Sequence, residues 1–171
     1  MKHIYVYSHI DFDDMMKIMS LDSSNVGLED DKAFISITAS KNVIEAQLEE
    51  YRAHYFDGKS NNVLNIEFDD IATDHEFFYG IKCLGINETQ AKTLFDFIEE
   101  NKGKNFYIHC MAGRSRSQGV CRYILDMYGE EYGYTEESCR KENPCTTPNM
   151  YVVSMLKREY YKNNYKDKIE F

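Results

Sequence analysis

The chain is poor in several features that would point away from a compact enzyme. It has two prolines in 171 residues, and it lacks a Gly/Ser linker, an internal repeat or a low-complexity tract. Nothing divides it, so one globular domain over 1–171 is expected. The 43% hydrophobic content is enough for a sizeable core. No stretch approaches the roughly 20 consecutive apolar residues that span a bilayer. The opening Met1-Lys2-His3-Ile4-Tyr5-Val6-Tyr7 is too short, and too polar downstream, for a secretory signal. No membrane partner is expected, therefore, and a cytoplasmic setting is. There is no Cys-x-x-Cys pair. The five cysteines are odd in number and irregularly spaced, which argues against a disulfide framework and for a reducing compartment. The five histidines are scattered, so neither a metal nor a cofactor is expected. No basic run exceeds a pair and the net charge is −9, which excludes a broad nucleic-acid-binding face. Any anion bound must be held by a local pocket.

What is present is an alternation of short apolar runs and helical periodicities. Ile4–Tyr7, Ala33–Thr38, Val63–Phe68 and Asn105–His109 read as strands. Asp11–Ser20 reads as a helix on Phe12, Met15, Met16 and Met19. Ser40 is placed to cap a helix running to about Phe56, with Val43, Ile44, Gln47, Leu48 and Tyr51 on its buried face. Asn87 caps another, through about Asn101, on Ala91, Leu94, Phe95 and Ile98. Helices are also expected over Arg116–Tyr128 and from Pro148 onward, the last with Met150, Val153, Leu156 and Tyr160 inward. Residues 69–86 remain as a long connection, either a movable lid or a fixed loop. The pattern predicts an α/β domain with a central, mostly parallel sheet flanked by helices. Ligands of such sheets bind beyond the C-terminal ends of the strands.

The most informative stretch, His109-Cys110-Met111-Ala112-Gly113-Arg114-Ser115-Arg116-Ser117, lies at such an end, between the strand 105–109 and a helix. Its backbone N–H groups and the helix N-terminus can surround a tetrahedral oxyanion. A thiol there is expected to act as a thiolate nucleophile. Cys110 would attack phosphorus and form a phosphocysteine. Arg116 would grip two phosphate oxygens through its planar fork. Gly113 would let the backbone turn tightly. Ser117 would donate to the sulfur as it leaves, and His109 would orient the loop from behind. Cys121 reads as core.

This His-Cys-x-x-Gly-x-x-Arg-Ser string resembles the signature of cysteine-dependent protein tyrosine phosphatases, and Ala112-Gly113-x-Ser115-Arg116-Ser117 is most similar to their dual-specificity branch. The resemblance spans about residues 33–160, although only the loop is specific. It implies a metal-free, two-step hydrolysis with Cys110 as nucleophile, Arg116 as phosphate clamp and backbone contacts to substrate from Met111, Ala112, Gly113, Arg114 and Ser115. It also implies an aspartate general acid on a loop upstream. Asp70, two residues past Phe68, matches that position; Asp69 is the next candidate and Asp74 a weaker one. One of the adjacent pair is expected merely to cap the turn into Ile71-Ala72-Thr73. Arg114 stands where that branch commonly has an apolar residue. It either points outward as ordinary surface or adds charge to the pocket rim.

The function so implied is hydrolysis of phosphotyrosine, and conceivably phosphoserine or phosphothreonine, in a phosphorylated protein or peptide. The alternative keeps the mechanism and changes the substrate to an RNA 5′-phosphate, an inositol phosphate or a lipid. A rhodanese-type sulfurtransferase is disfavoured by the six-position offset from Cys110 to Arg116. A non-catalytic phosphopeptide reader is disfavoured because both residues are present.

Overall fold

A computed structural model describes residues 2–49, 55–57, 60–141, 143 and 146–165. The elements run β1 (Ile4–Tyr7), α1 (His9–Ile18), β2 (Lys32–Thr38), α2 (Lys41–Glu45), β3 (Val63–Glu67), β4 (His75–Phe78), β5 (Ile81–Leu84), α3 (Glu88–Asn101), β6 (Asn105–His109), α4 (Arg116–Tyr132), β7 (Cys139–Lys141) and α5 (Met150–Asn164). Five strands form one parallel sheet in the order β3-β2-β6-β1-β7, and β4 and β5 pair separately as an antiparallel hairpin. The domain is α/β with a central parallel sheet flanked by helices, as the alternation predicts.

Strand alternation sorts the core into two layers. Ile4, Val6, Ala33, Ile35, Ile37, Phe106 and Ile108 face a cluster completed by Leu94 and Ile98 of α3, Val120 and Ile124 of α4, and Leu156 of α5. Their sequence neighbours Tyr7, Phe34 and Tyr107 face the other side, with Phe12 and Met16 of α1 and Phe56. That second layer is aromatic: the Tyr107 ring stacks on Tyr5 at 4.7 Å and on Phe34 at 5.1 Å. Because all five sheet strands are parallel, the residues following β1, β2, β3 and β6 emerge along one edge.

Several expectations are corrected. α1 begins at His9 rather than Asp11, because the Ser8 hydroxyl accepts from the Asp11 amide as its N-cap. Met16 is buried, while Met15 and Met19 are only partly so. α2 ends at Glu45, not near Phe56: the Gln47 and Leu48 amides bond back to Ile44 and Val43, and Gln47 takes a left-handed conformation at φ +56°. Leu48 is consequently exposed, and Tyr51 lies outside the described residues. Asn149, not Pro148, caps α5, its carbonyl oxygen accepting from the amides of Tyr151 and Val152. Met150 falls on the outer face of α5. Residues 69–86 are largely the β4–β5 hairpin rather than a loop, and the edge strand β7 went unpredicted.

Candidate functional site

β6 ends at His109, Cys110 follows it, and α4 starts at Arg116. The five intervening residues are tied down from outside through their carbonyls. Met111 O accepts from the His9 amide at 3.1 Å, Arg114 O from Thr147 N at 2.9 Å, and Ser115 O from Gly119 N at 2.8 Å and Asn149 N at 3.1 Å. Ala112 O accepts from Asn143 Nδ2 at 3.3 Å and Gly113 O from Gln118 Nε2 at 3.0 Å. In a trans peptide the N–H opposes the C=O, and the described chain has no cis bond. Five outward carbonyls therefore turn the amides of residues 112–116 inward, where the N-terminus of α4 adds its partial positive charge. Gly113 sits at φ +66°, and a Cβ there would fall 2.6 Å from the Tyr7 carbonyl carbon. The loop is thus pressed against the β1–α1 junction, a contact that only glycine permits.

Cys110 is buried, and its Sγ lies 3.1 Å from the Oγ of Ser117, the second residue of α4. His109 is buried behind the loop, its ring 4.3 Å from Phe12 and 5.2 Å from His9. Arg116 is 3% exposed. Its Nη1 donates to Phe68 O at 3.0 Å and its Nη2 to Glu49 Oε1 at 2.7 Å. Its Nε is buried with no hydrogen-bond partner among the described residues. Burial opposes the guanidinium charge, but Cys110, Glu49 and Asp70 nearby outweigh it and raise its pKa above the usual value. Arg114 is exposed, and its carbonyl is bonded to Thr147.

The adjacent aspartates after β3 have separate surroundings. Asp69 is buried: its carboxylate accepts from Ser40 N at 2.7 Å, Ser40 Oγ at 2.6 Å and Leu84 N at 2.6 Å, and its own amide donates to Leu84 O at 2.7 Å. It ties the chain after β3 to the start of α2 and to β5. Asp70 is exposed and meets the loop directly, its Oδ1 accepting from Ser115 Oγ at 2.6 Å and from Asn149 Nδ2 at 2.9 Å. Asp74 sits at the foot of the hairpin, where hydrogen bonds from His75 hold its carboxyl below the usual carboxylate range.

Cys110, Ser117, Arg116, Asp70 and the backbone of residues 111–115 thus converge at one edge of the sheet; Asp69 and Asp74 stand apart from it. Two residues that the sequence reading missed complete the arrangement. Asn149 joins Asp70, Ile71 and the start of α5, with Nδ2 3.0 Å from Ile71 O. Its position after Pro148 carried a readable cap signal. Glu49 reaches Arg116 because α2 stops early, and the break at Gln47 has no glycine, proline or asparagine to announce it.

Neither a protein-family model nor a curated protein matches the sequence. Among solved structures, the chain is similar to the human tyrosine phosphatase-like serine/threonine/tyrosine-interacting protein, at 18% identity over 85% of this chain and 87% of that one, with a TM-score of 0.41.

Proposed function

We propose that the chain is a cysteine-dependent phosphoric monoester hydrolase acting on phosphotyrosine in proteins, with phosphoserine and phosphothreonine as further substrates. One observation carries this reading. The loop's five carbonyls are spent on bonds to other segments, which leaves its amides, the buried Cys110 sulfur and the buried, unpartnered Nε of Arg116 as the groups available to an anion.

In the first step the Cys110 thiolate forms an S–P bond while the ester P–O bond breaks. The phosphoryl oxygens lie among the amides of residues 112–116 and against Arg116. Asp70 gives its proton to the leaving oxygen. Its Oδ1 already accepts two hydrogen bonds, so Oδ2 is the oxygen suited to carry that proton. In the second step Asp70 takes a proton from water as the water oxygen bonds to phosphorus. The S–P bond breaks, and inorganic phosphate leaves. The Ser117 hydroxyl, 3.1 Å from the sulfur, donates to it as negative charge returns.

The test is hydrolysis of p-nitrophenyl phosphate, with a chelator present, by wild type, Cys110→Ser and Asp70→Asn. Chelator-resistant turnover that vanishes in the first variant and falls steeply in the second is expected. Unchanged turnover in Cys110→Ser would overturn the mechanism. Phosphotyrosyl and phosphothreonyl peptides, an RNA 5′-phosphate and an inositol phosphate then rank the substrate classes.

A further inference from the structure

Asp70 is exposed and lies outside every helix and strand. An acid so placed owes its aim to its partners. Two hydrogen bonds reach its side chain, both at Oδ1: one from Ser115 Oγ at 2.6 Å and one from Asn149 Nδ2 at 2.9 Å. Ser115 is the N-cap residue of α4, yet its hydroxyl makes no cap bond and turns to Asp70 instead.

Asn149 is held from every side. It is buried, and its amide donates to Ser115 O at 3.1 Å. A Cβ on Gly119 of α4 would fall 2.7 Å from its carbonyl oxygen, so its main chain is pressed against α4. Its side chain is equally committed. Oδ1 accepts from the amides of Tyr151 at 3.1 Å and Val152 at 3.2 Å. Two N–H donors can be met only by an oxygen, so the side-chain amide has a single orientation. Nδ2 therefore faces away from α5, and it donates to Asp70 Oδ1 and, at 3.0 Å, to Ile71 O. Behind it, Val152 and Leu156 seat α5 in the core.

The two partners of Asp70 differ in what they permit. A serine hydroxyl donates or accepts, and so tolerates a proton on either oxygen of the carboxyl. The Asn149 amino group only donates, and a protonated carboxyl oxygen is a poor acceptor. Building on the phosphatase reading, we propose that Asn149 is the positioning residue of the general acid. It selects Oδ2 of Asp70 as the oxygen that carries the proton, and it holds the carboxyl against the loop through both steps. The proton passes from Oδ2 to the leaving oxygen and returns to Oδ2 from water, while Asn149 keeps its own hydrogens.

The test is kcat/KM, which reports the step that forms the S–P bond, on two esters. The leaving oxygen of phenyl phosphate needs a proton, and that of 2,4-dinitrophenyl phosphate does not. Asn149→Ser keeps a cap for α5 and removes the amino group. It is expected to lower kcat/KM about tenfold for phenyl phosphate and less than about twofold for 2,4-dinitrophenyl phosphate. In an Asp70→Asn background, where no proton is left to place, the same substitution is expected to cost nothing further. Should Asn149→Ser fail to fold, Asn149→Asp also caps the helix and gives the same comparison, with a larger loss because two carboxylates then face each other. An equal loss on both esters marks a merely structural role and overturns the inference. So does a loss that persists in full in the Asp70→Asn background, or no loss on either ester. The phosphatase reading fails separately, when wild type hydrolyses neither ester, and the inference falls with it.

Discussion

Two segments stand on the same side of the sheet and are built in opposite ways. In residues 111–115 every carbonyl accepts a hydrogen bond, and the Gly113 backbone is pressed against Tyr7 and Ser8. In residues 75–84 the hairpin is fastened at its foot and along β5, while β4 is exposed throughout. The first confines its unused hydrogen-bonding capacity to a small enclosed space suited to one compact ion. The second leaves β4 exposed along an open edge.

The contrast can be broken by substitution, the largest effect being in the loop. Cys110→Ser should lower p-nitrophenyl phosphate turnover by at least about 10⁴-fold while the circular dichroism spectrum is unchanged. Asp70→Asn should cost about 10²- to 10³-fold, and the loss should shrink for 2,4-dinitrophenyl phosphate, whose leaving oxygen needs no proton. Glycines of similar backbone conformation should diverge between the two segments. Gly113→Ala forces a Cβ into the Tyr7 backbone and should lower stability by about 3 kcal/mol, seen as a drop in Tm with loss of turnover. Gly80→Ala meets no atom within 4 Å, so only its positive φ is penalised, about 1 kcal/mol, with turnover retained. The smallest effect is expected at Glu49. Glu49→Gln keeps an acceptor for Arg116 and removes a negative charge beside the pocket, so vanadate should inhibit a few-fold more tightly.

The loop was legible in the sequence because its chemistry is local: Cys110, Gly113, Arg116 and Ser117 fall within eight consecutive positions. β1, β2 and β6 were legible because they are largely buried and read as short apolar runs, and half-buried β3 was legible from its alternation. Asp69 and Asp70 were not separable, since their roles are decided by partners distant in the chain, Ser40 and Leu84 for one, Ser115 and Asn149 for the other. The hairpin escaped because its turn is Tyr-Gly rather than a recognised turn pair. The end of α2 escaped because Gln47 adopts a conformation that its residue type does not advertise.

The clamp on Asp69 has a kinetic meaning. Its carboxylate and amide are held by Ser40 and Leu84, and Asp70, the next residue, is held by Ser115 and Asn149. In the proposed mechanism, an acid anchored at both residues has no swing to make between successive substrates. Turnover would then wait on bond making rather than on a moving flap, and it should be indifferent to solvent viscosity.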